Sequence, residues 1–285
     1  EFRDVLPQVR AVILLFYGVV FVVAVCVIRL GVNYRQHLFI DTPNHRSLHS
    51  TPIPRIGGLL LVPMYLLAAV LLGANQQLSA ALTIAGLLIV GLWLLAVIDD
   101  ACDLKALPRL IVHLSLCAAA SIFFTQLAPS YWWCLWALYA VSALNFYNFM
   151  DGADGLAAIQ GAVGFSACGI FAAMLWPDSG LAQLALLIVV LLLAFLLFNW
   201  QPAKVFMGDA GSTVLGAGAA LFAALFFLQS PKDCWLAILP FLPFWLDAGF
   251  TLLARIIRGE RFWQAHRQHV YQRQILAGRS HQQIA

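Results

Sequence analysis

The chain has 285 residues, of which 62% are apolar and only 10% charged, with a mean hydropathy of +0.88. Soluble domains are about 45–50% apolar and about 25% charged, so no water-soluble fold has interior enough for this surplus, and disorder, collagen and disulfide scaffolds are excluded with it. A net charge of +3 is too small for a nucleic-acid surface, which leaves the placement of the charges as the informative quantity.

A helix needs about 20 mostly apolar residues to cross a bilayer. Nine runs approach that length, at 10–30, 57–73, 78–98, 107–127, 131–147, 155–176, 181–199, 211–229 and 234–257. The alternation of a closed β-barrel is absent. The fold class expected is an all-α integral membrane protein, a polytopic helix bundle forming one domain over 1–285. The first run is too long for the apolar part of a cleavable signal peptide. The six cysteines have no zinc spacing and read as small hydrophobes, with no disulfide framework expected. Short breaks such as GANQQ and WPDSG alternate with longer charged segments at 31–56, 99–106, 148–154, 200–210 and 258–285. All but Arg3, Arg10 and Lys232 of the 16 basic residues fall on the side of the longer segments. By the positive-inside rule that side is cytoplasmic and the N-terminus is outside.

Most of the acids lie on that same side, although carboxylates at bilayer depth cost at least ~2.5–3.5 kcal/mol each. A polar site at the cytoplasmic boundary is therefore expected. Its first piece is DTPNHRSLHSTPIPRIGG, an irregular loop whose Asp41, His45, Arg46, His49 and Arg55 include cations suited to anions. Next comes VIDDACD, with Asp99, Asp100 and Asp103 at the end of the third run. Acids are electrostatically misplaced at a helix C-terminus. Either they form a solvated loop with Lys105 and Arg109, or they hold Mg²⁺, a hard cation that bridges one or two carboxylates to phosphates.

NFYNFMDGADG follows. Asn145 and Asn148 share a helix face, and Asp151 and Asp154 continue the three-residue interval into the loop. An ordinary Asx-rich turn with Asp154 as a helix cap is the plain alternative. NWQPAKVFMGDAGST places Asp209, Gly211 and Ser212 at the start of the eighth run. Capping by Asp209 or Ser212 is one reading; a phosphate site at a helix N-terminus, with Lys204 as cation and Phe206 as a stacking ring, is the other. Finally, RGERFWQAHRQHVYQR sets His266, Arg267 and His269 between the aromatics Phe262, Trp263 and Tyr271. Such a basic juxtamembrane stretch also serves as a membrane anchor.

These five motifs, in this order over Asp41–Arg273, resemble the polyprenyl-phosphate N-acetylhexosamine-1-phosphate transferases, a superfamily that includes the MraY translocase and the WecA-type enzymes. The tail reads AHRQH, which is more similar to the WbpL-type O-antigen initiating enzymes than to HHH or HIHH. The resemblance implies a bundle of ten or eleven spans, so one or two C-terminal spans are expected beyond this chain. It implies transfer of an N-acetylaminosugar 1-phosphate from a UDP-sugar to undecaprenyl phosphate, releasing UMP, at the bacterial inner membrane. The sugar is left open among GlcNAc, FucNAc and QuiNAc. Mg²⁺, with Mn²⁺ as a substitute, is the implied cofactor. Asp209 matches the family's metal aspartate, and Asp99 and Asp100 its paired aspartates for metal handling or lipid-phosphate activation. Phe206 matches an aromatic near the uracil, and His266, Arg267 and His269 match the loop that reads sugar or pyrophosphate. Asn145, Asn148, Asp151, Asp154, Lys204, Arg55 and His49 complete the expected substrate contacts. Membrane lipids and a second copy of the chain are the expected further partners, and nucleic acid is not. A secondary transporter of an anionic substrate is the competing class; it would place its polar groups near the midplane on broken helices.

Overall fold

The computed structural model describes residues 2–34, 39–43, 48, 51–72, 79–261, 264 and 266–285. The protein is helical almost throughout. In chain order α1 is Phe2–Tyr34, α2 Gly57–Leu71, α3 Ser79–Cys102, α4 Ala106–Leu127, α5 Trp132–Met150, α6 Leu156–Leu175, α7 Leu181–Asn199 and α8 Asp209–Gln229. Four shorter helices end the chain: α9 Trp235–Ile238, α10 Leu242–Ile257, α11 Val270–Leu276 and α12 His281–Ile284. Two residues each of β1 (Ile40–Asp41) and β2 (Ile53–Pro54) pair antiparallel in the first loop.

All nine apolar runs appear as helix, with two departures that bear on function. Helices α3 and α8 extend past their apolar runs and take in the acids at their ends, so Asp99, Asp100 and Asp209 sit on helical backbone. The ninth run is not one continuous helix. Pro240 and Pro243 lack the N–H that a helix interior needs, and after a 3₁₀ turn at Pro231–Asp233 the run divides into α9, a 3₁₀ turn at Leu239–Phe241 and α10. Among the described residues, seven segments are long and apolar enough to cross a membrane; α2, at 15 residues, is shorter. The chain is a multi-pass, all-helical membrane protein.

Helix α8 is the centre of the bundle. Its sequence, DAGSTVLGAGAALFAALFFLQ, presents small residues that let neighbouring backbones approach closely. Helices α2, α3 and α5 pack on it, α4 packs on α3 and α5, and α1 and α6 pack on α7. The closest approach joins α2 to α8: a Cβ on Gly58 would stand 2.0 Å from Gly211 N, so only glycine fits. Trp136 donates from its indole to the Ala220 carbonyl at 2.7 Å, which satisfies a polar atom deep in the bundle. Outward faces carry Leu14, Leu15, Val70, Leu87, Val163 and Met174, all exposed, as a surface facing hydrocarbon does. This packing brings the N-termini of α2 and α8 together with the C-termini of α3, α5 and α7 at one end of the bundle.

Candidate active site

That end holds a polar cavity of about 230 Å³. Arg55, Asn148, Asp151, Asp154, Phe206 and Asp209 line it, with Asp41, Asn199, Ser212, Gln272 and His281. Residues distant in sequence meet because most of them lie at or near the end of a helix. Phe206 is positioned by the first loop: its N–H donates to Pro54 O (2.9 Å) and its carbonyl accepts from Gly57 N (3.0 Å).

The paired aspartates have different tasks. Asp100 accepts from the backbone N–H of Asp209 (3.1 Å) and of Ala210 (3.0 Å), one on each carboxylate oxygen. It is the cap of α8, supplied by another helix. The capping alternative weighed for Asp209 or Ser212 is not what forms: Asp209 is the first residue of α8, and Ser212 donates to the Gly208 carbonyl at 3.1 Å. Gly208 makes room at the junction: its φ is +71°, and a Cβ there would lie 2.8 Å from Asp100 Oδ2. Asp99 Oδ1 accepts from Leu104 N (2.8 Å), which closes the α3–α4 turn. Its Oδ2 accepts from Arg109 Nη1, and the same nitrogen donates to Asp209 Oδ2 at 2.9 Å. Two carboxylate oxygens from two helices thus converge on one cationic nitrogen. Arg55 Nη1 lies 4.0 Å from Asp100 Oδ1, and Arg55 Nε is buried with no partner among the described residues. Asp99 and Asp100 stand beside the cavity without lining it, and Asp103 is exposed on the turn, also outside the lining.

The Asn and Asp series divides as well. Asn148 Nδ2 reaches Thr213 Oγ1 (3.3 Å) across to α8, and Asp151 lies beside it in the cavity. Burial pushes the Asp151 carboxyl well above the usual carboxylate range, and the charges of Asp209 and Asp100 add to that push. Asp154 is buried and structural as well as cavity-lining. It accepts from Ala203 N (3.1 Å) and lies 3.3 Å from His281 Nδ1, which ties the 200–208 loop and α12 to the DG turn. Asn145 was expected beside Asn148, but its amide donates to Val141 O in its own helix (2.7 Å) and it lines no part of the cavity. Lys204 was expected at the phosphate site and is instead exposed, also outside the lining.

The tail folds beside the cavity end of the bundle. His269 is buried, stacks near Phe149 and Tyr271, and has Nδ1 3.5 Å from Asp247 Oδ1. Asp247 caps α11 by accepting from Val270 N (2.9 Å) and Tyr271 N (3.2 Å). Desolvation, His269 and Arg255 push the His266 imidazole down to about 4, with Glu260 opposing. Arg267 is exposed. None of the three tail residues lines the cavity; Gln272 and His281, further along, do. His45, Arg46, His49, Phe262 and Trp263 lie outside the described residues.

Sequence reading missed Asn199, Gln272 and His281. Asn199 ends an otherwise apolar run, which was a usable signal; it accepts from Gly155 N (3.0 Å) and donates to Val205 O (2.9 Å). Gln272 and His281 carry no such signal, because only folding of the tail brings them in.

The donor chemistry fits a hard divalent cation. Asp99 and Asp209 offer carboxylate oxygens at a position that already stabilises positive charge, and Mg²⁺ typically takes one or two carboxylates with substrate phosphates completing its shell. Among the described residues no three His, Cys, Asp or Glu side chains form a closed metal cage. A second cavity, about 480 Å³ and almost wholly apolar, runs between α2, α3, α7 and α8. Gly58, Met207 and Gly211 line its near end beside the start of α8, and Leu225 and Ser79 its far end.

Residues 80–227 match the model of glycosyl transferase family 4. The chain is 26% identical over 85% of its length to a probable undecaprenyl-phosphate N-acetylglucosaminyl 1-phosphate transferase of Bacillus subtilis, covering 71% of that protein. It is 32% identical over 90% of its length to a decaprenyl-phosphate N-acetylglucosaminephosphotransferase of Mycobacterium leprae, covering 74% of it. A phospho-N-acetylmuramoyl-pentapeptide-transferase of Oceanobacillus iheyensis is 45% identical over 26% of this chain and 23% of its own.

Proposed function

The chain belongs to glycosyl transferase family 4, within the polyprenyl-phosphate hexosamine-1-phosphate transferases, and on that premise we propose that it transfers an N-acetylaminosugar 1-phosphate from a UDP-sugar to undecaprenyl phosphate. UMP is the second product, and the lipid-linked sugar begins a cell-envelope polysaccharide such as O-antigen. The observation that carries this reading is the convergence of Asp99 and Asp209 on one cationic nitrogen, beside a polar cavity at the end of an apolar bundle. Long relatives named for N-acetylglucosamine make UDP-GlcNAc the first donor to test.

The two substrates are both anionic, so neutralising charge is the main need. Asp99 and Asp209 would hold Mg²⁺, which when bound supplies charge neutralisation at the phosphates. Arg55, with its unpartnered Nε, adds a donor for an anion in the cavity. Phe206 offers a ring for the uracil, and Asn148, Asp151 and Ser212 offer polar contacts for donor hydroxyls. The tail loop His266–His269 would contact the sugar phosphate from outside the cavity, through exposed Arg267. The apolar cavity that ends at Met207 and Gly211 provides hydrocarbon-lined space next to the site.

The lipid phosphate has a second pKa near about 6, so its oxygen is ionised at neutral pH and needs no strong base. That oxygen attacks the sugar-linked phosphorus; the bond to the uridine-bearing phosphate breaks, and UMP leaves with the electron pair. A covalent route through Asp99 or Asp100 is less favoured, because their oxygens already accept from Leu104 N, Arg109 and the α8 backbone. A transporter is not favoured either, since the carboxylates gather at one end of the bundle. The active-site end would face the cytoplasm, where the basic residues lie.

Purified protein supplied with undecaprenyl phosphate, Mg²⁺ and a panel of UDP-sugars tests the reading. UMP should appear in equal amount to the lipid-diphospho-sugar, and EDTA should stop both. UMP release without the lipid, or full turnover in EDTA, would sink it.

A further inference from the structure

Arg109 sits in the first turn of α4, yet its guanidinium crosses to the ends of α3 and α8. One nitrogen, Nη1, serves Asp99 Oδ2 and Asp209 Oδ2 together, and the side chain is only 24% exposed. Asp99, Asp100, Asp151 and Asp209 are among the carboxylates gathered at this end of the bundle. Among the described residues Arg55 also approaches them, but its Nη1 stands 4.0 Å from Asp100 Oδ1. Like charges held together in a poorly solvated place repel, and Arg109, donating to both, offsets the repulsion between Asp99 and Asp209.

On the metal-dependent reading above, the carboxylates that Arg109 bridges are the ones that would hold a divalent cation. Mg²⁺ bonds carboxylate oxygens at about 2.0–2.1 Å. A guanidinium nitrogen 2.9 Å from Asp209 Oδ2, and closer still to Asp99, fills the space between them. Guanidinium and metal cannot occupy it at once. We propose that Arg109 is a tethered stand-in for the cation: its single positive charge holds the two carboxylates together and offsets part of their charge, and it must release Asp209 before the metal can bind. Metal loading is then an exchange of one positive charge for two, and Arg109 lowers the apparent affinity for the cation by the fraction of time it occupies the position. Asp103, on the solvent side of the turn, lies within electrostatic reach of Arg109 and offers the released guanidinium a second carboxylate.

This inference rests on the metal-dependent transfer proposed above, and it makes a prediction of opposite sign to the ordinary one. A residue that merely supports a metal site weakens binding when removed; a residue that competes for it strengthens binding. Mn²⁺ is the probe, with free ion counted by its solution EPR signal against full-length protein in detergent, without substrates. Arg109→Gln should bind Mn²⁺ about tenfold more tightly than wild type, the scale of one charge-assisted hydrogen bond. Its unfolding temperature in EDTA should fall, and the rise on adding Mn²⁺ should exceed that of wild type. Arg109→Lys keeps the charge on a shorter reach and should fold normally with intermediate tightening, which keeps the test decisive if Arg109→Gln does not fold. Equal or weaker Mn²⁺ binding by the folded variants overturns the exchange, as does absence of binding in all three proteins. The parent reading is judged separately, by whether wild-type UMP release requires Mg²⁺.

Discussion

At the residue scale, the neighbours of each carboxylate decide its part. Asp209 and Asp99 share Arg109, and Asp99 is buried, whereas Asp103 stands exposed on the turn. Asp209→Asn should keep the fold and lose roughly 10²–10³-fold in kcat, the factor that ~3–4 kcal/mol of transition-state stabilisation represents. Asp99→Asn should follow it closely, and Asp103→Asn should stay within a fewfold of wild type; steady-state UMP release measures all three. His266 supplies a pH dependence of stability. Its folded pKa is depressed to about 4 from 6.5, so the unfolded chain binds the proton more readily between those values. The stability it contributes is present above pH 6.5 and is lost as pH falls toward 4. Thermal unfolding between pH 7 and pH 4.5 should therefore show a shallower acid decline for His266→Asn than for wild type. Identical slopes would show that the imidazole is not held neutral.

At the scale of elements, the cap of α8 is the joint on which the site depends. Asp100 belongs to α3 and satisfies the first free N–H groups of α8, so the last turn of one helix orients the first turn of another. A cap of this kind stabilises by about 0.5–2 kcal/mol. Asp100→Asn keeps one acceptor and should retain the fold with impaired kcat. Asp100→Ala keeps none and should also lower the unfolding temperature; a mutant with unchanged temperature and kcat would remove the cap from the mechanism. The tail is a second such joint. His269 is buried between Phe149 and Tyr271 beside the Asp247 cap, so His269→Ala reports packing and does not isolate recognition. Arg267 is exposed and gives the clean test. Arg267→Lys keeps the charge and loses the planar fork; it should lower kcat/KM for the UDP-sugar by about tenfold at unchanged unfolding temperature. Wild-type kinetics in this variant would leave the loop as a membrane anchor.

At the scale of the whole molecule, the two ends of the bundle are chemically unlike, and orientation in the membrane decides which faces the substrates. Native cysteines mark both ends: Cys102 closes α3 beside the site, Cys134 opens α5 at the other end, and both are exposed. In single-cysteine proteins, a membrane-impermeant maleimide should label Cys134 in intact spheroplasts and Cys102 only after permeabilisation. The reverse pattern would turn the site outward.

Apolar run length alone determined that this is a bundle of membrane helices, because a chain with 62% apolar residues has no other way to satisfy its backbone. Ordered motifs determined the family, and the excess of acids on one side pointed to the loops that are proposed to carry the chemistry. Tertiary structure decided the rest. DD in the sequence reads as a matched pair, yet Asp100 turns to cap α8 while Asp99 turns to Arg109, since adjacent residues on a helix point about 100° apart and meet different neighbours. Asn145 and Asn148 share a face by spacing, but only Asn148 finds α8 opposite it. Arg109 read as a loop cation and proved to bridge helices 100 residues apart, while Gln272 and His281 entered the cavity from a tail with no motif to announce them. Spacing along a chain fixes which residues share a face; which partner that face meets depends on packing between helices far apart in sequence, and local pattern carries no record of it.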